Sequence, residues 1–117
     1  MILNSEQAII GAILLNPKIL PRVQQRIKPT DFLSEKNATI YRAIKNLAKN
    51  GYAVEPSAVL SEAPELSDYL VGIVQDVVTS AGWEYHAKRM VEIRTRHNLS
   101  DIADRIKGHL EDKASSA

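Results

Sequence analysis

The sequence holds no cysteine, one phenylalanine, one tryptophan, five glycines and five prolines in 117 residues. Without cysteine there are no disulfides, thiolate metal sites or thiol nucleophiles, which suits a reducing compartment. No run approaches the ~18 consecutive apolar residues of a membrane span, and the N-terminus lacks the basic start and cleavage site of a secretory signal, so the expected location is cytoplasmic. Fifteen basic and 14 acidic side chains leave a formal net charge of +1, so no overall field would drive the chain onto nucleic acid or an anionic membrane. The glycines at 11, 51, 72, 82 and 108 are dispersed and none opens a GxxxxGK[ST] phosphate loop, so this chain alone is not expected to hydrolyse ATP.

What is present is apolar helical patterning: 44% of residues are hydrophobic, enough for one domain with its own core. Asn4 or Ser5 starts the first helix, with Gln7 completing a capping box, and Ala8, Ile9, Ala12, Ile13 and Leu15 form its expected buried side. Gly11 inside that run either admits a close neighbour or is simply tolerated. Asn16-Pro17 starts a short second helix that Pro29 stops, and Phe32 is expected to anchor the following loop. Ser34 to Asn37 open a third helix through Ile40, Tyr41, Ile44, Leu47 and Ala48, ended by Asn50-Gly51. An extended connector, Tyr52 to Pro56, leads to a short helix capped by Ser57.

From Pro64 or Glu65, Leu66, Tyr69, Leu70, Ile73, Val74 and Val77 make a further helix with Val78 at its end. Thr79 to Gly82 form a turn, and a long helix runs from about Trp83 to near Leu110, with Ala87, Met90, Val91, Leu99, Ile102, Ile106 and Leu110 on or near one side. The expected fold is all-α with about six helices: a small globular head over residues 1–64, then a C-terminal antiparallel helical hairpin over 65–112 of the same domain. Residues 113–117 read as a frayed tail or the start of an interdomain linker.

Little in this pattern carries chemistry. His86, His97 and His109 lie along one side of the last helix but about 16 to 18 Å apart, too far to share a metal. The pairs Glu62 with Glu65 and Glu111 with Asp112 have no apolar pocket to raise a pKa. No GxSxG elbow surrounds the serines, several of which serve as caps. No catalytic, cofactor or metal residues are therefore assigned. Lys88, Arg89, Arg94, Arg96, Arg105 and Lys107 make the last helix the most basic section, but Glu84, Glu92, Asp101 and Asp104 can pair with them. Arg22, Gln24, Gln25 and Arg26 sit on too short a helix for a helix-turn-helix reader. Trp83 and Tyr85, just past the turn, belong either to an interface or to the core.

Ser5-Glu6-Gln7-Ala8-Ile9-Ile10-Gly11-Ala12-Ile13-Leu14-Leu15, followed by Pro29-Thr30-Asp31-Phe32, Ile40-Tyr41 and Asn50-Gly51, resembles the N-terminal domain of DnaB-type replicative helicases. The segment from Asp68 to Arg94, with Tyr69-Leu70 and Tyr85, is similar to the hairpin of that family, so the resemblance covers about residues 4 to 100. It implies a non-catalytic collar that self-associates through its hairpins and contacts primase and a helicase loader, with DNA contact weak or indirect. The implied self-association surface is Tyr69, Leu70, Ile73, Val77, Trp83, Ala87, Met90 and Val91, with Gly11, Asp31 and Phe32 structural. Two departures stand out: the chain is short between Leu60 and Asp68, without the Gly-Gly before Tyr69-Leu70, and the ATPase domain is absent. Hence the alternatives of a fragment of an ATP-dependent helicase, a stand-alone adaptor or inhibitor that binds a helicase or primase, and a small helical DNA-binding protein.

Overall fold

The structure, a computed structural model, describes residues 2–115 and the side chains as far as Leu110. Six α-helices follow one another: α1 (Ser5–Leu15), α2 (Leu20–Gln24), α3 (Glu35–Lys49), α4 (Pro56–Glu62), α5 (Ser67–Asp76) and α6 (Trp83–Ser115). Short 3-10 turns at Pro17–Ile19, Pro29–Asp31 and Pro64–Leu66 join them, and no strand occurs among the described residues. The all-α expectation holds.

Asn4 caps α1 through the capping box with Gln7, and Ser34 caps α3 by accepting from the Asn37 N–H. Gly51 takes φ +79° after α3, and Gly82 takes φ +77° before α6, where a left-handed backbone favours a residue without Cβ. Helix α4 begins two residues earlier than expected. Pro56 occupies its first turn after Glu55, with no side-chain cap, so Ser57 lies inside the helix.

Helix α1 is the centre of the fold. Ile9, Ile10, Gly11, Ala12 and Ile13 are all buried, as suits a helix that is apolar on every side. The single buried side expected of it was too narrow: Ile10 is enclosed, while Leu15, at the end where the chain turns away, is 52% exposed. Its most extensive packing is against α6, then α5, and it also meets α3.

The last two helices, expected as an antiparallel hairpin, follow one another through the connector 77–82. Helices α5 and α6 make no extensive contact with each other, and each packs instead on α1. The physical reason lies at Val77, where φ −72° and ψ 130° end α5 in an extended conformation that suits β-branched side chains. The connector then passes over the small residues of α1. Ala8 and Ala12 line the same hollow as Val77, Val78 and Thr79, and a Cβ on Gly11 would lie 2.8 Å from Val77 Cβ. Gly11 is thus a close-approach glycine.

Leu66, Leu70 and Ile73 join one hydrophobic cluster with α1, α3, Val59 and the start of α6. The division between head and projection accordingly falls along α6, past Arg94, rather than at residue 64. Among the described side chains of α6 only Trp83, Ala87 and Met90 are buried; from Thr95 to Leu110 every residue except Gly108 is exposed. At 1.5 Å per residue, the 33 residues of α6 span about 50 Å, which explains principal extents of 61 × 29 × 28 Å. The helix continues through 113–115, where a frayed tail was expected, and residues 116–117 lie outside the described residues.

Candidate interaction surfaces

The polar residues nearest the start of the chain tie the head together. The Glu6 carboxylate accepts hydrogen bonds from the Leu33 N–H at 2.9 Å, the Ser34 N–H at 3.3 Å and Asn37 Nδ2 at 2.9 Å. It thereby neutralises orphan donors at the start of α3, where a negative charge also meets the helix dipole. Asn37 is the buried polar side chain of the core, and its Oδ1 accepts from the Tyr69 hydroxyl. Gln7 Nε2 in turn donates to Tyr69 Oη at 3.2 Å, which links α1, α3 and α5 through one set of side chains.

Asp31 and Phe32 hold the loop before α3. Asp31 Oδ2 accepts from the Lys28 N–H at 2.7 Å, and the buried Phe32 ring stacks obliquely on Tyr41 at 4.9 Å. Tyr41, fully buried, donates its hydroxyl to the Ile27 carbonyl at 2.8 Å. Its phenol is pushed up to about 12, first by burial and then by the nearby Asp31 carboxylate. The Asp31 carboxylate and the Tyr41 hydroxyl thus both bond to the backbone of the loop that leads into α3.

The expected self-association surface is largely inside the molecule. Leu70, Ile73, Trp83, Ala87 and Met90 are buried in the chain's own core, because α1 takes the place that a partner helix was expected to fill. Tyr69 belongs to the hydrogen-bonded network, and Val77 lies against Gly11. Arg22 and Arg26 place their guanidinium groups 5.3 and 5.4 Å from the centre of the Trp83 ring, and Arg22 pairs with Glu84 at 3.3 Å. Of that set only Val91 stays exposed.

The unpartnered apolar surface lies further along α6. Leu99, Ile102, Ile106 and Leu110 are 51 to 60% exposed and recur at spacings of three and four, which puts them on one side of the projecting helix. Their periodicity was visible in the sequence. Their exposure was not.

Charge is distributed differently from the expectation of a basic last helix. Residues 17–49 carry eight basic side chains against Asp31 and Glu35, whereas residues 50–87 carry six acidic ones and neither lysine nor arginine. On α6 the charges alternate and pair, as in Arg89 with Glu92 at 3.0 Å and His97 with Asp101 at 3.7 Å. Arg42, Lys45 and Lys49 follow one side of α3 and line an open cleft of about 590 Å³ with Gln24, Pro29 and Asn46, beside which Arg42 pairs with Glu35 at 3.4 Å. Among the described residues, no three His, Asp or Glu side chains gather to hold a metal ion. His86 Nδ1 is buried without a hydrogen-bond partner, in a hollow beside Val77 and Trp83.

A model of the DnaB-like helicase N-terminal domain matches residues 2–92. The chain belongs to that family. A Bacillus subtilis replicative DNA helicase, DnaC, is 30% identical over 98% of this chain, which spans 29% of the helicase's length. Two solved structures share the fold: the N-terminal domain of DnaB helicase from Mycobacterium tuberculosis, with TM-score 0.84 and 24% identity, and that from Helicobacter pylori, with TM-score 0.83 and 16% identity. The chain is covered to 97% and 92%, and those domains to 86% and 90%. The Helicobacter pylori domain was described together with its interactions with primase.

In this DnaB-like domain, the residues that carry the resemblance are explained by the head's own packing. Glu6 and Gln7 bridge three helices, Gly11 admits Val77, and Asp31-Phe32 seats the loop that leads into α3. Sequence reasoning found Gln7 as a cap but missed Glu6, whose partners stand 27 to 31 residues away. No helix among the described residues is long and apolar enough to cross a membrane.

Proposed function

We propose that this chain is the non-catalytic collar domain of a replicative ring DNA helicase. It self-associates and offers a docking surface to primase and a helicase loader in the cytoplasm. The observation that carries this reading is the projecting stripe Leu99, Ile102, Ile106 and Leu110. An apolar stripe of that length, rimmed by charged side chains and detached from the head, gains free energy by pairing with another helix. The family of the chain supplies the setting, and the interaction of a similarly folded domain with primase supports the partner. Binding of this kind needs helix faces rather than a catalytic constellation.

Light scattering after size exclusion, over a hundredfold range of concentration, tests the pairing. The chain is expected to run as a dimer or larger species, and an Ile102→Glu, Ile106→Glu variant with unchanged helicity is expected to be monomeric. A strict monomer at every concentration would sink the pairing. Calorimetric titration with the primase of the same source tests the docking role, and absence of heat from the self-associated chain would remove primase from the proposal.

A further inference from the structure

We propose that the groove between the end of α3 and helix α4 docks a segment of a different protein, one that carries two arginines around an apolar side chain. Leu47, Ala53 and Ala58 give this groove of about 520 Å³ its apolar lining, and Tyr52 adds a ring that is 68% exposed. The backbone beneath the ring is fixed. Gly51 turns left-handed at φ +79°, and the Tyr52 N–H donates to the Leu47 carbonyl at 2.9 Å.

Two carboxylates complete the lining. Glu55 precedes α4 and Glu62 ends it, so they stand about 10 Å apart along the helix at 1.5 Å per residue. Ser57 Oγ donates to Glu55 at 3.4 Å and Asn46 Nδ2 donates to Glu62 at 3.5 Å, but both donors are neutral, so they orient the carboxylates and leave the charges in place. Among the described residues no ion pair reaches either glutamate, and no lysine or arginine lies between Gly51 and Ala87. Glu62 also meets the negative pole of α4, whose last turn holds no basic side chain, so a cation there is favoured.

These features select the occupant. An exposed tyrosine face attracts a guanidinium, a carboxylate receives one through two parallel hydrogen bonds, and the apolar lining takes the side chain between. Two arginines three residues apart in an extended segment are separated by roughly 10 Å at about 3.3 Å per residue, which matches the two glutamates. A second copy of this chain supplies no such segment. Its Arg22 and Arg26 lie on Trp83, Arg42 pairs with Glu35 and Arg89 with Glu92, while Arg94, Arg96 and Arg105 share α6 with Asp101 and Asp104. The groove also has no residue in common with the apolar stripe on α6, so it stands apart from the pairing proposed there.

The test is a nuclear magnetic resonance titration of the whole, isotope-labelled chain with the peptide N-acetyl-Arg-Leu-Leu-Arg-amide, and with a twin in which neutral citrulline replaces both arginines. The arginine peptide is expected to shift the amide signals of Leu47, Tyr52 and residues 55–62 in a saturable way, and to bind about tenfold or more tightly than its twin. Tyr52→Ala is expected to weaken that binding about threefold, and Glu55→Gln with Glu62→Gln to abolish the preference for arginine. All three side chains are exposed, and unchanged signals from α1 check that each variant keeps the fold. Absence of saturable shifts in the groove up to about 20 mM peptide would overturn the proposal, as would a citrulline twin that binds equally well or variants that leave the preference intact. Groove signals that move on dilution of the chain alone would overturn it too and assign the groove to another copy.

Discussion

Helices α1 and α6 are opposite uses of the same element. The first has 11 residues and buries nearly every side that faces another helix, while the second has 33 and buries only Trp83, Ala87 and Met90 before it leaves the head. Burial of α1 was written in its composition, since Ala8 to Leu15 hold no polar side chain. The distal half of α6 mixes charge with isoleucine and leucine at spacings of three and four, a pattern that leaves open whether the apolar side meets the core or lies outside it. The comparison teaches that the head's stability resides in α1 and its neighbours, whereas the distal half of α6 holds its apolar side outside the core.

Matched truncations on the two helices provide the strongest challenge. Ile13 is fully buried on α1, so Ile13→Ala removes apolar contact and leaves a cavity, with an expected loss of about 2 to 4 kcal/mol. Ile106 on α6 is 56% exposed, and Ile106→Ala is expected to change the stability of the single chain by less than about 0.5 kcal/mol. Urea unfolding at a concentration too low for association reads both values. Equal losses would break the distinction between the helices.

Gly11 gives the next largest effect. Alanine is a better helix former by about 1 kcal/mol, but its Cβ would meet Val77 Cβ at 2.8 Å, close to the backbone where the neighbour has little freedom. Overpacking of this kind costs about 1 to 3 kcal/mol, so Gly11→Ala is expected to destabilise the head by about 1 kcal/mol net. Combination with Val77→Gly removes both the Cβ and the Cγ2 that crowd the site, and in a double-mutant cycle the Gly11→Ala substitution should become stabilising. A Gly11→Ala variant that stabilises the head by itself would show that the connector is not pressed onto α1.

Local signals in the sequence located the helices, because caps and breakers act within a few residues. The box of Asn4 with Gln7, the Ser34 cap and the left-handed Gly51 are of this kind. Partners far along the chain were not legible. Nothing near Glu6 announces that its carboxylate closes the start of α3, and nothing near Leu70 or Trp83 says that α1 lies against them instead of a second copy. The same limit hid the candidate site. Periodicity placed Leu99, Ile102 and Ile106 on one face, but whether that face meets the chain's own core or a partner depends on where α6 leaves the head. The charge separation between residues 17–49 and 50–87 could have been read by counting charges in windows rather than over the whole chain.

Tyr41 supplies an effect of similar size at pH 8 and the one with a pH signature, since its buried phenol belongs to the head. Its hydroxyl donates to the Ile27 carbonyl inside the core, and its pKa is raised from the ordinary 10.0 to about 12 by burial and by Asp31. The neutral form is therefore the one that the fold favours. Its contribution is fully present below pH 10 and is lost as pH rises through 12, because the unfolded chain ionises first. At pH 8, Tyr41→Phe is expected to cost about 1 kcal/mol through the unpaired carbonyl. Above pH 10 the unaltered protein weakens by roughly 1.4 kcal/mol for each pH unit until the folded phenol itself titrates, whereas the phenylalanine variant lacks that term. Unfolding curves from pH 8 to 12 should thus converge and then cross, and parallel curves would show that Tyr41 titrates alike in the folded and unfolded chain.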